Sequence, residues 1–424
     1  MGMTNFSVTS AATRHLSRLF DAAIQAARAD HCMAPHMPEP PKGRTLVLGA
    51  GKAAALMAHV LERNWRHPMT GLVICPHGHG RPTRRIKVVE ASHPVPDQAG
   101  TDAAAEALRL ASGLGEDDLL IFLVSGGGSS LMSLPAGGVS LEDKQSVTSA
   151  LLRSGAPIQD MNIVRKHLSA IKGGRLAEAA SPARVVTLAI SDVVGDDPSA
   201  IASGPTVPDH STRHQALQVI GDWGIKAPQP VLDWLNSDAS ETPKDLAEPD
   251  FRMISSPGRA LAAAAHRAEQ NGLNVINLGA YIEGESASVA QTMAGIALGC
   301  WFDGVPAQRP CVILSGGELT CTLPESAGHG GPNTHFALAL AHQLGGAPGI
   351  HALAADTDGT DGASGAAGAL IAPDTLSRAW ETGLDPVAAL RNHDSATLFH
   401  ALGGLVETGP TLTNVNDFRA ILIG

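Results

Sequence analysis

The chain has 424 residues, 44% hydrophobic and 17% charged, enough for two or three domains with substantial cores. A net charge of −11 and an aromatic content of only 3% exclude a general DNA or RNA partner, which needs basic surface or stacking rings. The five cysteines (Cys32, Cys75, Cys300, Cys311, Cys321) form no Cys-x-x-Cys pair, the N-terminus is polar, and no run of eighteen apolar residues occurs, which predicts a cytoplasmic protein without a membrane partner.

In chain order, Leu16, Leu19, Phe20, Ala23 and Ala27 recur at helical spacing and predict a helix over residues 10–29, before a Pro-rich connector at 31–42. Strands are expected at 45–48, 71–75 and 87–90, with helices at 53–61 and 97–110. Leu119–Val124 is a continuous apolar run of strand length, as in a strand buried on both faces of a parallel sheet. A helix at Leu141–Ser154 leads to a basic stretch within 162–177, and 185–190 is another buried strand. Residues 236–250 are rich in Ser, Asp, Glu and Pro and predict a domain linker. Beyond it, strands at 251–254, 274–278, 310–314 and 350–354 alternate with helices at 258–271 and 286–298. The βαβ alternation predicts an α/β fold with a Rossmann-like doubly wound parallel sheet in residues 1–240 and a second α/β domain in 250–424.

The central strand stops at Ser125, Gly126, Gly127, Gly128, Ser129 and Ser130. Glycines let backbone approach a ligand closely, and amides with hydroxyls can form a nest for an anion. Ser315, Gly316, Gly317 and Glu318 repeat the design after a second apolar run, so two phosphate- or carboxylate-sized sites are expected. Gly49-Ala50-Gly51-Lys52 is neither a dinucleotide fingerprint nor a P-loop. The next strand ends at Cys75-Pro76-His77 without the ribose-binding carboxylate, and Leu46 and Ala53 stand where a P-loop needs Gly and Ser or Thr. What remains is a lysine at a helix N-terminus, where dipole and charge both attract an anion.

Arg165, Lys166, His167, Lys172 and Arg175 fall within 14 residues that hold no Asp or Glu, the expected seat of an anionic substrate in an acidic chain. Asp192, Asp196 and Asp197 close one strand, and Asp356, Asp358 and Asp361 close another. Such carboxylates hold Mg²⁺ beside phosphates or take a proton from a hydroxyl nucleophile. The second triplet is not a calcium loop, because its twelfth position is Ala367. Cys75, His77 and His79 lack a fourth ligand at zinc spacing.

Taken together, Gly49-Ala50-Gly51-Lys52-Ala53, Ala91-Ser92-His93-Pro94-Val95-Pro96-Asp97, the Ser125 to Ser130 loop, Asn162-Ile163-Val164-Arg165-Lys166-His167, Lys172-Gly173-Gly174-Arg175, Ser191-Asp192-Val193-Val194-Gly195-Asp196, Ser315-Gly316-Gly317-Glu318, Asp356-Thr357-Asp358-Gly359-Thr360-Asp361-Gly362 and Thr413-Asn414-Val415-Asn416-Asp417 resemble the class II glycerate kinase family. Its members carry a C-terminal MOFRL domain and have often been labelled hydroxypyruvate reductases. The resemblance implies ATP- and Mg²⁺-dependent phosphorylation of D-glycerate at the 2-hydroxyl, in a cleft between two α/β domains. It implies Lys52 as the phosphate-stabilising cation and Asp192 as base or metal partner, with Asp356 a second metal candidate. It leaves the oligomeric state open, a homodimer included. Where many members are expected to have Gly-Gly-Arg-Asn, this chain has Gly330-Gly331-Pro332-Asn333. Two other readings stand beside the kinase, an NAD-dependent hydroxypyruvate reductase and a non-catalytic sugar-acid sensor. The missing ribose carboxylate argues against the first, and Lys52 together with Asp192 against the second.

Overall fold

Six strands are laid side by side in one sheet: β1 (Thr45–Ala50), β2 (Met69–Pro76), β3 (Ile86–Ala91), β4 (Leu119–Val124), β5 (Arg184–Ile190) and β6 (Asp250–Ser255). Their spatial order is β3-β2-β1-β4-β5-β6, and the first five run parallel. Every residue of β1 and β4 is buried, which is why both read as unbroken apolar runs. Leu48, Ile74 and Phe122 stand at the centre of the core on this sheet. The chain winds outward from β1 to β3 and then returns to the far side of β1 as β4. The order therefore reverses between β1 and β4, the place where open α/β sheets bind ligands at their carboxyl edge. In this computed structural model residues 10–324 and 326–424 are described, and none of the helices among them is long and apolar enough to cross a membrane.

The chain divides into two units, Ala29–Ile254 and, for the other, Ser255–Gly424 joined by the chain up to Arg28. These units differ at both ends from the expected division into 1–240 and 250–424. The helix Ala11–Ala27, capped by the Ser10 hydroxyl, belongs with the C-terminal unit. Its apolar stripe, Leu16, Leu19, Phe20, Ala23 and Ala27, is fully buried there. The Phe20 ring lies 5.5 Å from that of Phe418, and Thr413 Oγ1 donates to the Ala27 carbonyl at 2.7 Å. Residues 236–250 are not a free linker either. Arg175 donates to the carbonyls of Ala239, Ser240 and Glu241, and Thr242 Oγ1 donates to Asp209 at 3.0 Å, so the segment is strapped onto the N-terminal unit.

The C-terminal unit contains β7 (Asn274–Asn277), β8 (Gly284–Glu285), β9 (Cys311–Ser315), β10 (Leu319–Thr320), β11 (Ile350–Asp356), β12 (Gly368–Ile371), β13 (Leu405–Val406) and β14 (Asp417–Ile423). One sheet has the order β13-β12-β11-β14-β9-β7; β8 and β10 pair separately. Only β7 and β9 are parallel within the larger sheet; β14 lies antiparallel to both β9 and β11. The α/β alternation expected for this half thus gives way, after β9, to a mixed sheet.

Candidate active site

The switch point between β1 and β4 is closed by a short set of bonds. Lys52 N–H donates to the Gly126 carbonyl at 2.8 Å, and the Ser125 hydroxyl accepts from Ala53 N–H at 2.9 Å. Gly51 has φ 135°, and a Cβ there would collide with Ser125 Oγ. The two loops that follow β1 and β4 are therefore locked together. Ser125 serves this lock, fully buried, and does not present its hydroxyl to a ligand as expected. Gly127 has φ 80°, and a Cβ there would meet the His93 ring at 2.9 Å and Lys52 Cγ at 3.6 Å. Glycine is needed here because three chain segments converge on its Cα.

Beside this loop lies a cavity of about 370 Å³, lined among others by His93, Gly127, Ser129, Ser130, Lys144, Arg165 and Lys172. That volume lies within the ~300–1,000 Å³ range of small-molecule sites. No Asp or Glu lines it. Lys172 is 1% exposed; its ammonium donates to the Ser129 carbonyl at 2.7 Å and to the Ala202 carbonyl at 3.4 Å. Burial, then the neighbouring Lys144 and Arg165, push it well below the ordinary lysine range. Burial likewise drives Lys144 down to about 7, with Arg165 adding to the effect. Lys144 Nζ is buried with no hydrogen-bond partner. Three basic side chains around one hollow without a counter-charge hold their charged forms only at a cost, which an entering anion relieves. Lys144 was not singled out in the sequence. Its signal was its spacing, since Lys144, Val147 and Leu151 form the one buried face of Leu141–Ser154.

The basic stretch divides between two tasks. The glycines at 173 and 174, with φ 57° and 86°, separate the helix Ile158–His167 from the helix Arg175–Ala180. Arg165 and Lys172 reach the cavity, whereas Lys166 and Arg175 do not line it. Lys166 makes a buried ion pair with Asp209 at 3.2 Å, and Arg175 holds the 239–241 carbonyls. Lys166→Ala would leave Asp209 buried without its counter-charge. It is expected to cost about 3–5 kcal/mol of stability while leaving the KM for substrates unchanged, read by denaturant unfolding and steady-state kinetics.

Asp192 follows β5 at the same carboxyl edge, since Val124 pairs with Ala189 and Ala50 with Val124 in parallel register. The Ser191 hydroxyl accepts from Val193 N–H at 3.2 Å and fixes the turn. Asp196, in a left-handed conformation at φ 55°, has a buried Oδ1 with no hydrogen-bond partner, while Asp197 caps Ser199.

In the C-terminal unit the second Ser-Gly-Gly loop is built differently from the first. The Ser315 hydroxyl accepts from Arg419 Nε at 3.2 Å, the Gly316 carbonyl accepts from the same guanidinium, and Gly316 N–H donates to Gly279. Arg419 is fully buried and pairs with Asp417 at 2.9 Å. Asn333 Nδ2 donates to Asp417 at 2.6 Å. Ser315, Gly316 and Asn333 Nδ2 are thus spent on an internal network rather than an open nest, whereas Asn333 Oδ1 is buried without a partner and Glu318 is exposed. Burial raises the Asp417 carboxyl against the pull of Arg419, and burial lifts Asp361 to about 6. Asp356 Oδ1 accepts from Asp358 N–H at 2.9 Å, a turn-forming role.

Residues 15–236 match a domain of unknown function, DUF4147, and residues 311–417 match the MOFRL family. D-glycerate 2-kinase of Thermotoga maritima is 38% identical over 406 residues, covering 95% of this chain and 96% of that one. A crystal structure of glycerate kinase from the same organism superposes with a TM-score of 0.88 at 37% identity, covering 98% of this chain and all of that one. An Agrobacterium vitis protein provisionally named hydroxypyruvate reductase is 51% identical over 413 residues, 96% of this chain and 94% of that one. The chain belongs to the MOFRL-type glycerate 2-kinase family. Pro332 opens the helix Pro332–Leu344, where a missing N–H costs nothing. The next two amides, of Asn333 and Thr334, are capped by the Asp361 carboxylate at 2.8 Å each.

Proposed function

We propose that this chain transfers the γ-phosphoryl group of ATP to the 2-hydroxyl of D-glycerate, giving ADP and 2-phosphoglycerate. The observation that carries this reading is the cavity ringed by Lys144, Arg165 and Lys172, with the unpartnered Lys144 ammonium and no acid among its lining residues. Its size suits a three-carbon acid, whose carboxylate would take the charge-assisted bonds these groups lack. Arg165 and Lys144 bind that carboxylate, and Lys172 holds the Ser129 carbonyl so that the loop keeps its shape. Lys52, at the switch point, stabilises charge on the moving phosphoryl group, and Asp192 orients the attacking hydroxyl and takes its proton. The buried, unpartnered Asp196 oxygen, in the turn that follows Asp192, fits a hard divalent cation, with Asp356, whose Oδ1 accepts one N–H, as the second candidate. Mg²⁺, when bound, screens the phosphate oxygens.

The strand order and the Agrobacterium relative's name favour a reductase as second reading. The end of β2 argues against it, because His77 stands where the ribose carboxylate belongs. Purified protein given ATP, Mg²⁺ and D-glycerate is expected to release ADP and form 2-phosphoglycerate, followed by ³¹P NMR. NADH oxidation with hydroxypyruvate and no ADP release would reverse the assignment.

Lys144→Met is expected to raise the KM for glycerate about 10–100-fold, the loss of one charge-assisted bond of about 1.5–3 kcal/mol. The ammonium is protonated below about 7, so kcat/KM for glycerate should fall as pH rises through that value in the free enzyme. That limb is expected to disappear in Lys144→Met. The sign for stability is opposite. Because the folded value lies below the unfolded one, burying the charge costs stability in full below about 7, and the cost fades as pH rises towards 10.5. The variant should therefore melt no lower than the parent at pH 6.

A further inference from the structure

Outside the kinase machinery, three metal-binding side chains converge in the C-terminal unit from separate segments. Cys321 follows β10, His335 lies in the first turns of Pro332–Leu344, and His393 follows the helix Pro386–Arg391. One donor atom from each lies within 4.8 Å of the others. The two imidazole rings stack with centroids 4.4 Å apart and 6° between their planes. Nδ1 of both His335 and His393 is buried without a hydrogen-bond partner, and His335 is only 7% exposed. Buried ring nitrogens are normally satisfied, and two left open side by side next to a thiol mark a place for an occupant. Cys321 Sγ meets Ser286 Oγ at 3.0 Å.

We propose that Cys321, His335 and His393 form a binding site for a borderline-soft divalent cation, Zn²⁺ in the first place. Two imidazoles and a thiolate select zinc-like ions, whereas Mg²⁺ and Ca²⁺ demand oxygen. A tetrahedral zinc ion with bonds of about 2.0–2.3 Å sets its donors roughly 3.3–3.8 Å apart, so the three groups must close by about an ångström and the two imidazoles must turn out of their parallel stack to bring the ion into both ring planes. Binding forms the Sγ–metal bond as the thiol proton leaves to solvent, and the Ser286 hydroxyl is placed to donate to the resulting thiolate. Glu285 is beside the site, but Thr322 holds its oxygens at 2.6 and 3.2 Å, so the fourth coordination position goes to water. His335 stands two residues after Asn333. The ion therefore clamps the helix start that carries the Asp361 contacts, a structural role separate from phosphoryl transfer.

The test is a Co²⁺ titration of the reduced, metal-stripped, full-length protein, followed by absorption spectroscopy. Tetrahedral d–d bands and a thiolate-to-cobalt charge-transfer band should saturate at one ion per chain and vanish when Zn²⁺ is added. Zn²⁺ should also raise the melting temperature in a concentration-dependent way. Cys321→Ser should abolish the charge-transfer band and weaken Co²⁺ binding at least tenfold. His393 has φ 51°, which asparagine tolerates, so His393→Asn should weaken binding similarly without disturbing the backbone. Absence of the charge-transfer band at one equivalent, or unchanged affinity in both variants, would overturn the site.

Discussion

Lys52→Ala is expected to lower kcat for ADP formation by about 10²–10³, the scale seen when one electrostatic donor to a transition state is removed. The backbone of Lys52 is held independently of its side chain. Its N–H donates to Gly126, its carbonyl accepts from His79 Nδ1 at 3.1 Å, and Gly51 sets the turn. Truncation should therefore leave the β1–β4 lock intact and the melting temperature close to that of the parent. A lysine that merely decorated the surface would change neither quantity. A lysine that served the fold would lower the melting temperature together with the rate. Only the catalytic role predicts a rate loss by itself, and steady-state ADP production beside a thermal melt separates the three outcomes.

The centre of the N-terminal sheet was legible because β1 and β4 are buried on both faces, which leaves nearly continuous apolar runs. Leu119–Val124 and Leu141–Ser154 have the boundaries that their patterns predict. The glycines that stop β1 and β4 were visible in the sequence, but the strand order that makes the gap between them the switch point was not. Tertiary choice was less legible. Ala11–Ala27 shows its apolar stripe plainly, but the stripe does not say which sheet will cover it. The strand Asp417–Ile423 was missed because Asp417 and Arg419 interrupt its apolar run, and only their pairing in the folded state makes both tolerable in a core. The same limit applied to the cations. Charge density pointed to the stretch around Arg165, but density cannot tell Lys172, which lines the cavity, from Lys166, which pairs with Asp209. The second Ser-Gly-Gly loop looked like the first because its partner, Arg419, is about a hundred residues away in sequence.

Asp192→Asn is expected to lower kcat by a similar factor, about 10²–10³ or more, for a different reason. Asparagine keeps the shape of the side chain and its place after the Ser191 turn, but it cannot accept the proton of the 2-hydroxyl. Three adjacent parallel strands, β1, β4 and β5, bring Lys52, the Gly127 loop and Asp192 to one edge of the sheet, the placement that the proposed roles require. If Asp192 acts on the hydroxyl, the variant loses kcat while its KM for glycerate and its dependence on Mg²⁺ concentration stay near those of the parent. If its part were to hold the cation, the rate loss would shrink as Mg²⁺ is raised, and Asp196→Asn would share that behaviour. Asp196→Asn is expected instead to shift the Mg²⁺ requirement and to leave the saturated rate less affected than Asp192→Asn does, because its unpartnered oxygen is the one with a vacancy to fill. Full activity in Asp192→Asn at saturating Mg²⁺ would move the proton acceptor to another residue. A fall in its melting temperature equal to that of a buried-pair variant such as Lys166→Ala would make the residue structural.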